Sequence, residues 1–349
     1  MKVSIIVAYR KEETDLQATI DSAKESAGKS VKIYAVEDKT FQGPGRTRNR
    51  GIEAATDADV VVIIDPHMRF KGDVIKRLAK RAHATGGLIV PFCHHGSPLS
   101  LDTPNHYAGG RILYKVKDSQ GKKALDAKWS TDLTAGPRGC VMGACYAFPR
   151  QWYMDVGQPL AMLPGWGGDE EALSIAAWMS GHTPEVIDGH VAHLWRASPP
   201  WMVTTQEAQA AQMSRRAIIC SVVSEVGARR ELLAWCGYQA AVETPEITRF
   251  RAALLKLPRK WGQWRDSVCE PEEIDGKQIK VPEVAVDRPV KQATHVTNPV
   301  VIVPGIKCPH CASVHADLPV EHSYANSRRH KCPVCGNPFI SMFKPGMAF

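Results

Sequence analysis

Asp65 and His67 stand two residues apart at the end of VVIIDPHMRF, where an unbroken apolar run gives way to polar groups. In extended backbone, residues i and i+2 project to the same side, so this carboxylate and imidazole reach one ion. Oxygen with imidazole nitrogen suits Mn²⁺, or Mg²⁺, an ion able to bridge phosphate oxygens and stabilise a departing diphosphate. By itself, the Asp-Pro pair equally describes a turn capping a strand end, and both readings stand. Further along, CPHC and CPVC supply Cys308, Cys311, Cys332 and Cys335, two knuckles with twenty residues between them. Four thiolates at that spacing predict one tetrahedral Zn²⁺ site, whereas a redox dithiol fits a lone CxxC. The polar, basic stretch between the knuckles suits a small zinc ribbon whose metal replaces a core, with His310 outside the ligand set.

The elements that position Asp65 and His67 follow from patterning. From residue 3 to about 95, short apolar runs (VSIIVA, KIYAVED, DADVVVIID, GLIVPF) alternate with amphipathic stretches. This predicts an α/β, Rossmann-like βαβαβ domain with a mostly parallel sheet, because strands buried on both faces are continuously apolar. Ligands of such sheets bind at the carboxyl ends of strands. Three predicted strands end in polar groups, at Tyr9-Arg10, Glu37-Asp38 and Asp65-Pro66-His67. Residues 96 to 145 predict long connections and a hairpin across YAGGRILYKVKDSQGKKALDAKW, and His94-His95 read as solvated loop residues or as site lining. GGDEEALSIAAWMSG predicts a helix stopped at Gly181, opened by acids that either favour its dipole or act in catalysis. The chain then divides into a helical basic segment (201–266), a linker or set of small edge strands (267–303) and the cysteine-bearing unit (304–349).

Residues 164 to 196 carry Trp166-Gly167-Gly168-Asp169, Leu173-Ser174, Trp178, Gly181 and Val191-Ala192-His193-Leu194-Trp195-Arg196. In order and spacing this block resembles the second half of the catalytic domain in polypeptide N-acetylgalactosaminyltransferases and related GT-A glycosyltransferases. The N-terminal half agrees: SIIVAYRKEETDLQATIDS, VEDKT and GPGRTRNRGIEAA resemble that family's donor-binding segments. The resemblance covers roughly residues 1 to 200 and implies a GT-A fold that transfers a sugar from a UDP-sugar, with retention, to a hydroxyl. It implies a metal held by Asp65, His67 and His193. It sets Ala8, Tyr9, Arg10, Glu37 and Asp38 near the base and ribose, and Arg46, Arg48, Asn49 and Arg196 near the diphosphate. Gly143 would leave room for the sugar. Trp166 becomes an acceptor platform or a core aromatic, and Asp169 or Glu170 the acid beside the acceptor; where the family has WGGEN this chain has WGGDEE, so which of the two remains open.

Composition bears on the acceptor. The 349 residues carry a formal charge of +8, which favours polyanionic partners. Between residues 215 and 265, Arg215, Arg216, Arg229, Arg230, Arg249, Arg251, Lys256, Arg259, Lys260 and Arg265 are interleaved with Trp261 and Trp264. Cations with stacking aromatics describe a DNA grip, and a solvated basic helix face is the plainer alternative. With the zinc ribbon, this points to a hydroxymethylated base in DNA as acceptor, as for phage-type DNA-modifying enzymes; protein Ser/Thr or a glycan is the second expectation. A nucleic-acid-binding module retaining only the shell of the fold is the third. The N-terminal apolar run is too short for a signal peptide, and the expected location is the cytoplasm, a host's if the protein is viral.

Overall fold

The computed structural model describes residues 1–28, 30–96, 106–118, 121–194 and 205–267, together with short strands between 269 and 342. It divides into two compact units, Met1–Glu283 and Val284–Phe349.

The first unit opens with β1 (Val3–Tyr9), α1 (Leu16–Ala27), β2 (Lys32–Glu37), α2 (Pro44–Ala54) and β3 (Val60–Ile64). Next come β4 (Met68–Phe70), α3 (Val74–Thr85), β5 (Ile89–Gly96), β6 (His106–Tyr107), β7 (Gly110–Asp118), β8 (Gly121–Trp129) and β9 (Gly136–Pro137). β10 (Cys145–Pro149), α4 (Arg150–Asp155), a 3-10 turn (Pro159–Met162), α5 (Asp169–Met179) and β11 (Glu185–Leu194) follow. The main sheet runs β2-β1-β3-β10-β5-β11-β4, with β6 beside β5 and β9 beside β11. β1 is parallel to β2 and β3, and β11 to β5, while β10 runs antiparallel between β3 and β5. The expected hairpin is β7/β8, paired from Gly110–Trp129 to Asp118–Gly121.

β3 shows why this sheet forms. All five of its aliphatic side chains are fully buried. Val60, Val62 and Ile64 face a cluster that includes Ile75 and Leu78 of α3; Val61 and Ile63 face one that includes Ile52 of α2 and Leu173 of α5. At about 1.5–3 kcal/mol for each such side chain removed from water, this strand is a principal anchor of the fold.

Helices α6 (Thr205–Val222), α7 (Val226–Trp235), α8 (Pro245–Lys256) and α9 (Trp261–Ser267) close the second face. Ile218, Leu232, Phe250, Trp261 and Trp264 lie in the same buried cluster as Ile63 and Phe148. This corrects the expectation for the two tryptophans: they are 1% and 0% exposed and stacked on each other at 5.3 Å, and so present no face to a nucleobase. The arginines around them also serve the fold. Arg215 pairs with Asp126, Arg249 donates to Gly157 O, Arg251 to Glu243 and Cys220 O, and Arg259 to Trp178 O. After α9, strands at Cys269–Glu270 and Glu272–Ile274 pair with β7, so part of the expected linker is edge strand of the first unit.

The second unit contains a two-stranded and a three-stranded antiparallel sheet, the latter from Val320–Tyr324, Ser327–Lys331 and Pro338–Met342. Cys308, Cys311, Cys332 and Cys335 lie outside the described residues, as does Arg196. Among the described residues, no helix is long and apolar enough to cross a membrane.

Candidate active site

Each of the three metal-ligand candidates is set by a different strand end. Asp65 follows β3, and its N–H donates to Ala144 O at 2.9 Å, fixing where the carboxylate leaves the sheet. His67 precedes β4, whose antiparallel pairing with β11 sets Met68 opposite His193; Leu194 N–H donates to His67 O at 3.0 Å. Thr19, buried on α1, locks the turn between them. Its hydroxyl donates to Pro66 O and accepts from Met68 N–H, each at 2.9 Å. The outcome is one ligand atom from each of Asp65, His67 and His193, all within 4.8 Å of one another, the only such group among the described residues. One carboxylate and two imidazoles form a donor set that fits Mn²⁺.

Electrostatics keep Asp65 in the form a metal requires. Burial pushes its pKa up, but the Arg48 guanidinium and then His193 outweigh this and hold it below the usual carboxylate range. His193 Nε2 lies 3.3 Å from Asp65 Oδ2. Arg48 projects from α2, buried, and pairs with both Asp65 and Asp169; despite burial, those two carboxylates raise its pKa and keep it charged. His94 and His95 are buried on β5, 8% and 7% exposed, which corrects the loop reading. His95 Nδ1 lies 3.2 Å from His193 Nδ1, and burial together with His193 pulls the pKa of His95 down to about 4, so it is neutral at pH 7. The signal for both was the apolar run in front of them, which belongs to the same strand.

The three acids at the start of α5 separate by environment. Asp169, 3% exposed, is the partner of Arg48. Glu170 is partly exposed, and burial followed by its neighbours Asp169 and Glu171 raises its pKa well above that of an ordinary carboxyl. It sits so close to Gly143 that a Cβ there would lie 2.2 Å from Glu170 Oε1, so a side chain at 143 would displace the Glu170 carboxyl. Glu171 is buried, accepts from Ala127 N–H at 3.2 Å, and has its pKa raised to about 7 by burial and then by Asp126. A carboxyl with a raised folded-state pKa favours the fold at low pH, and that contribution is lost as pH climbs from about 4.5 through about 7. Glu171→Gln is therefore expected to gain on the order of 2–3 kcal/mol over wild type between pH 4.5 and 8. Urea denaturation at the two pH values measures it, and an equal difference at both would refute it.

The remaining candidates scatter in role. Trp166 is 71% exposed between the 3-10 turn and α5, so it is not a core aromatic. Ala8 and Tyr9 end β1 partly buried, and Tyr9 O accepts from Asp38 N–H. Asp38 is buried and accepts from Gln42 and Gly43 N–H at 2.8 and 3.0 Å, which shapes the entry to α2. Glu37 pairs with Lys39, and Arg10 lies over the exposed Phe41 ring at 4.6 Å. Arg46 donates to Ala161 O. Asn49, expected beside the diphosphate, is buried and accepts from the Tyr153 hydroxyl at 2.7 Å. Sequence patterning missed Glu13, whose carboxylate lies 3.0 Å from His67 Nδ1.

No family model matches the chain. Human polypeptide N-acetylgalactosaminyltransferase 13 is 24% identical over 210 residues, 56% of this chain and 36% of that protein. N-acetylgalactosaminyltransferase 7 of Drosophila melanogaster is 24% identical over 180 residues, covering 48% of this chain and 30% of its own. The chain thus spans about a third of the length of the curated relatives it matches. Among solved structures, GalNAc-T7 with UDP, GalNAc and Mn²⁺ superposes with a TM-score of 0.54 at 15% identity, over 76% of this chain and 56% of that one. With its mostly parallel central sheet, this chain has the GT-A glycosyltransferase fold.

Proposed function

We propose that the first unit is a metal-dependent glycosyltransferase that moves a sugar from a UDP-sugar to a hydroxyl. The observation that carries this is the convergence of Asp65, His67 and His193 at the strand ends of a GT-A fold. When bound there, Mn²⁺ would offset the charge of the leaving diphosphate. Arg48, charged and buried beside the ligands, adds a second positive group on that side. The acceptor oxygen attacks the anomeric carbon, the bond to the diphosphate oxygen breaks with its electron pair, and the acceptor proton must leave. Asp169 is tied to Arg48, and burial followed by Asp169 and Glu171 pushes the Glu170 carboxyl well above the usual range. With the Asp169 carboxylate held by Arg48, transfer of the acceptor proton to the departing phosphate oxygen, with retention of configuration, is the reading we favour.

For the acceptor, similarity to polypeptide N-acetylgalactosaminyltransferases favours a protein Ser/Thr hydroxyl. The +8 charge and the cysteine pairs favour a hydroxymethylated base in DNA, flipped from its stack. With Trp261 and Trp264 in the core, the DNA reading loses its aromatic support and the polypeptide reading leads. UDP-sugars with Mn²⁺ should be incubated with Ser/Thr peptides and with hydroxymethylated and plain duplexes, following UDP release and label on each. Absence of UDP release together with absence of UDP or Mn²⁺ binding would leave only a binding shell.

The four cysteines Cys308, Cys311, Cys332 and Cys335 are read as one structural Zn²⁺ site on their spacing. One zinc per purified chain is expected by atomic emission, falling to none in Cys308→Ser/Cys332→Ser; a zinc-free wild type would defeat this reading.

A further inference from the structure

We propose that Glu13 is a positioning residue for His67, holding its ring in the Nδ1–H tautomer so that Nε2 carries the lone pair offered to the metal. This rests on the reading that Asp65, His67 and His193 are the ligands. The Glu13 carboxylate is wholly enclosed, with no side-chain exposure. A buried carboxylate is expensive to keep unless it is paired: His67 Nδ1 lies 3.0 Å from Oε2, and Asp15 N–H donates to Oε1 at 3.5 Å. The enclosure is built by the tight turn from β1 to α1, where Glu13 N–H donates to Arg10 O at 3.0 Å and folds the side chain inward. Glu12, one residue earlier, stays exposed.

An ionised carboxylate only accepts hydrogen bonds, so it selects the tautomer with the proton on Nδ1. It also makes the imidazole a stronger donor through Nε2. His193 is treated differently: its Nδ1 faces His95 Nδ1, another imidazole with no fixed negative charge. The two histidines are thus unequal, and His67 is the pre-organised one. Nothing in KEET betrays this, because two adjacent glutamates before a helix read as surface charge.

The test uses the full chain and three variants, Glu13→Ala, Glu13→Gln and the control Glu12→Gln, with His67→Ala beside them. Mn²⁺ titration calorimetry should show affinity about 10- to 100-fold weaker in Glu13→Ala, a smaller loss in Glu13→Gln and none in Glu12→Gln. Ring nitrogen NMR of the metal-free chain should show His67 as the Nδ1–H form in wild type and a mixture in Glu13→Ala. Wild-type affinity and an unchanged tautomer in Glu13→Ala, with binding lost in His67→Ala, would overturn the role of Glu13 alone. Binding unaffected in His67→Ala would instead overturn the ligand set, and the ring spectrum then decides on Glu13 by itself. If Glu13→Ala does not fold, the isosteric Glu13→Gln decides by the same two readouts.

Discussion

His193→Ala is expected to abolish measurable Mn²⁺ binding and to lower kcat/KM by roughly 10³-fold, about 4 kcal/mol of transition-state stabilisation. The size follows from the site's economy. Three ligand atoms come from two chain segments, and removing His193 leaves Asp65 and His67, a carboxylate and an imidazole that the turn at Pro66 holds together. Two protein ligands bind a divalent ion far more weakly than three, and UDP that bridges through the ion should weaken in parallel. The fold should survive. His193 is at the end of β11, whose pairing with β4 and β5 is made by backbone groups that alanine keeps. The informative pattern is therefore a near-wild-type melting curve with both Mn²⁺ and UDP titrations flattened. Asp65→Asn is the companion: it preserves shape and removes the charge that Arg48 and His193 sustain. Wild-type turnover in either variant would remove the metal from the reaction.

How far these residues were legible differs by residue. The Asp65-Pro66-His67 turn stood out because β3 is five aliphatics long and buried on both faces, so its end is sharp. His193 carried no local signal; in HVAHLW it alternates like any strand histidine, and only the resemblance tied it to Asp65 across more than a hundred residues. Asp169 and Glu170 look alike in sequence and separate only in space, where Arg48 takes one and Gly143 abuts the other. Glu13 was hidden because tertiary folding of a single turn decides between surface and interior. Patterning thus recovers long buried strands well and does poorly where one side chain's direction sets its role.

The misreading of Trp261 and Trp264 leads to the largest expected loss of stability. Ile247, Phe250 and Leu254 recur at three and four on α8, Trp261 and Trp264 stand three apart on α9, and all are buried, the trace of two inward helical faces. Their charged neighbours drew attention to the opposite side. Trp264 is fully buried, stacks on Trp261 at 28° between planes, and joins the cluster beneath β3 and β10. Trp264→Ala should therefore cost about 3–5 kcal/mol, a large share of the ~5–15 kcal/mol that stabilises a typical domain. Trp264→Phe keeps most of the volume, and its indole N–H has no hydrogen-bond partner among the described residues to lose. Its cost should stay below about 1.5 kcal/mol. Denaturant unfolding of the three proteins separates the two accounts of this residue. Core packing predicts the order wild type, Phe, Ala, with any change in DNA binding following the unfolded fraction. A stacking platform predicts equal stabilities and a loss of DNA affinity in the alanine variant alone, and that outcome would return these helices to the role first read from their charge.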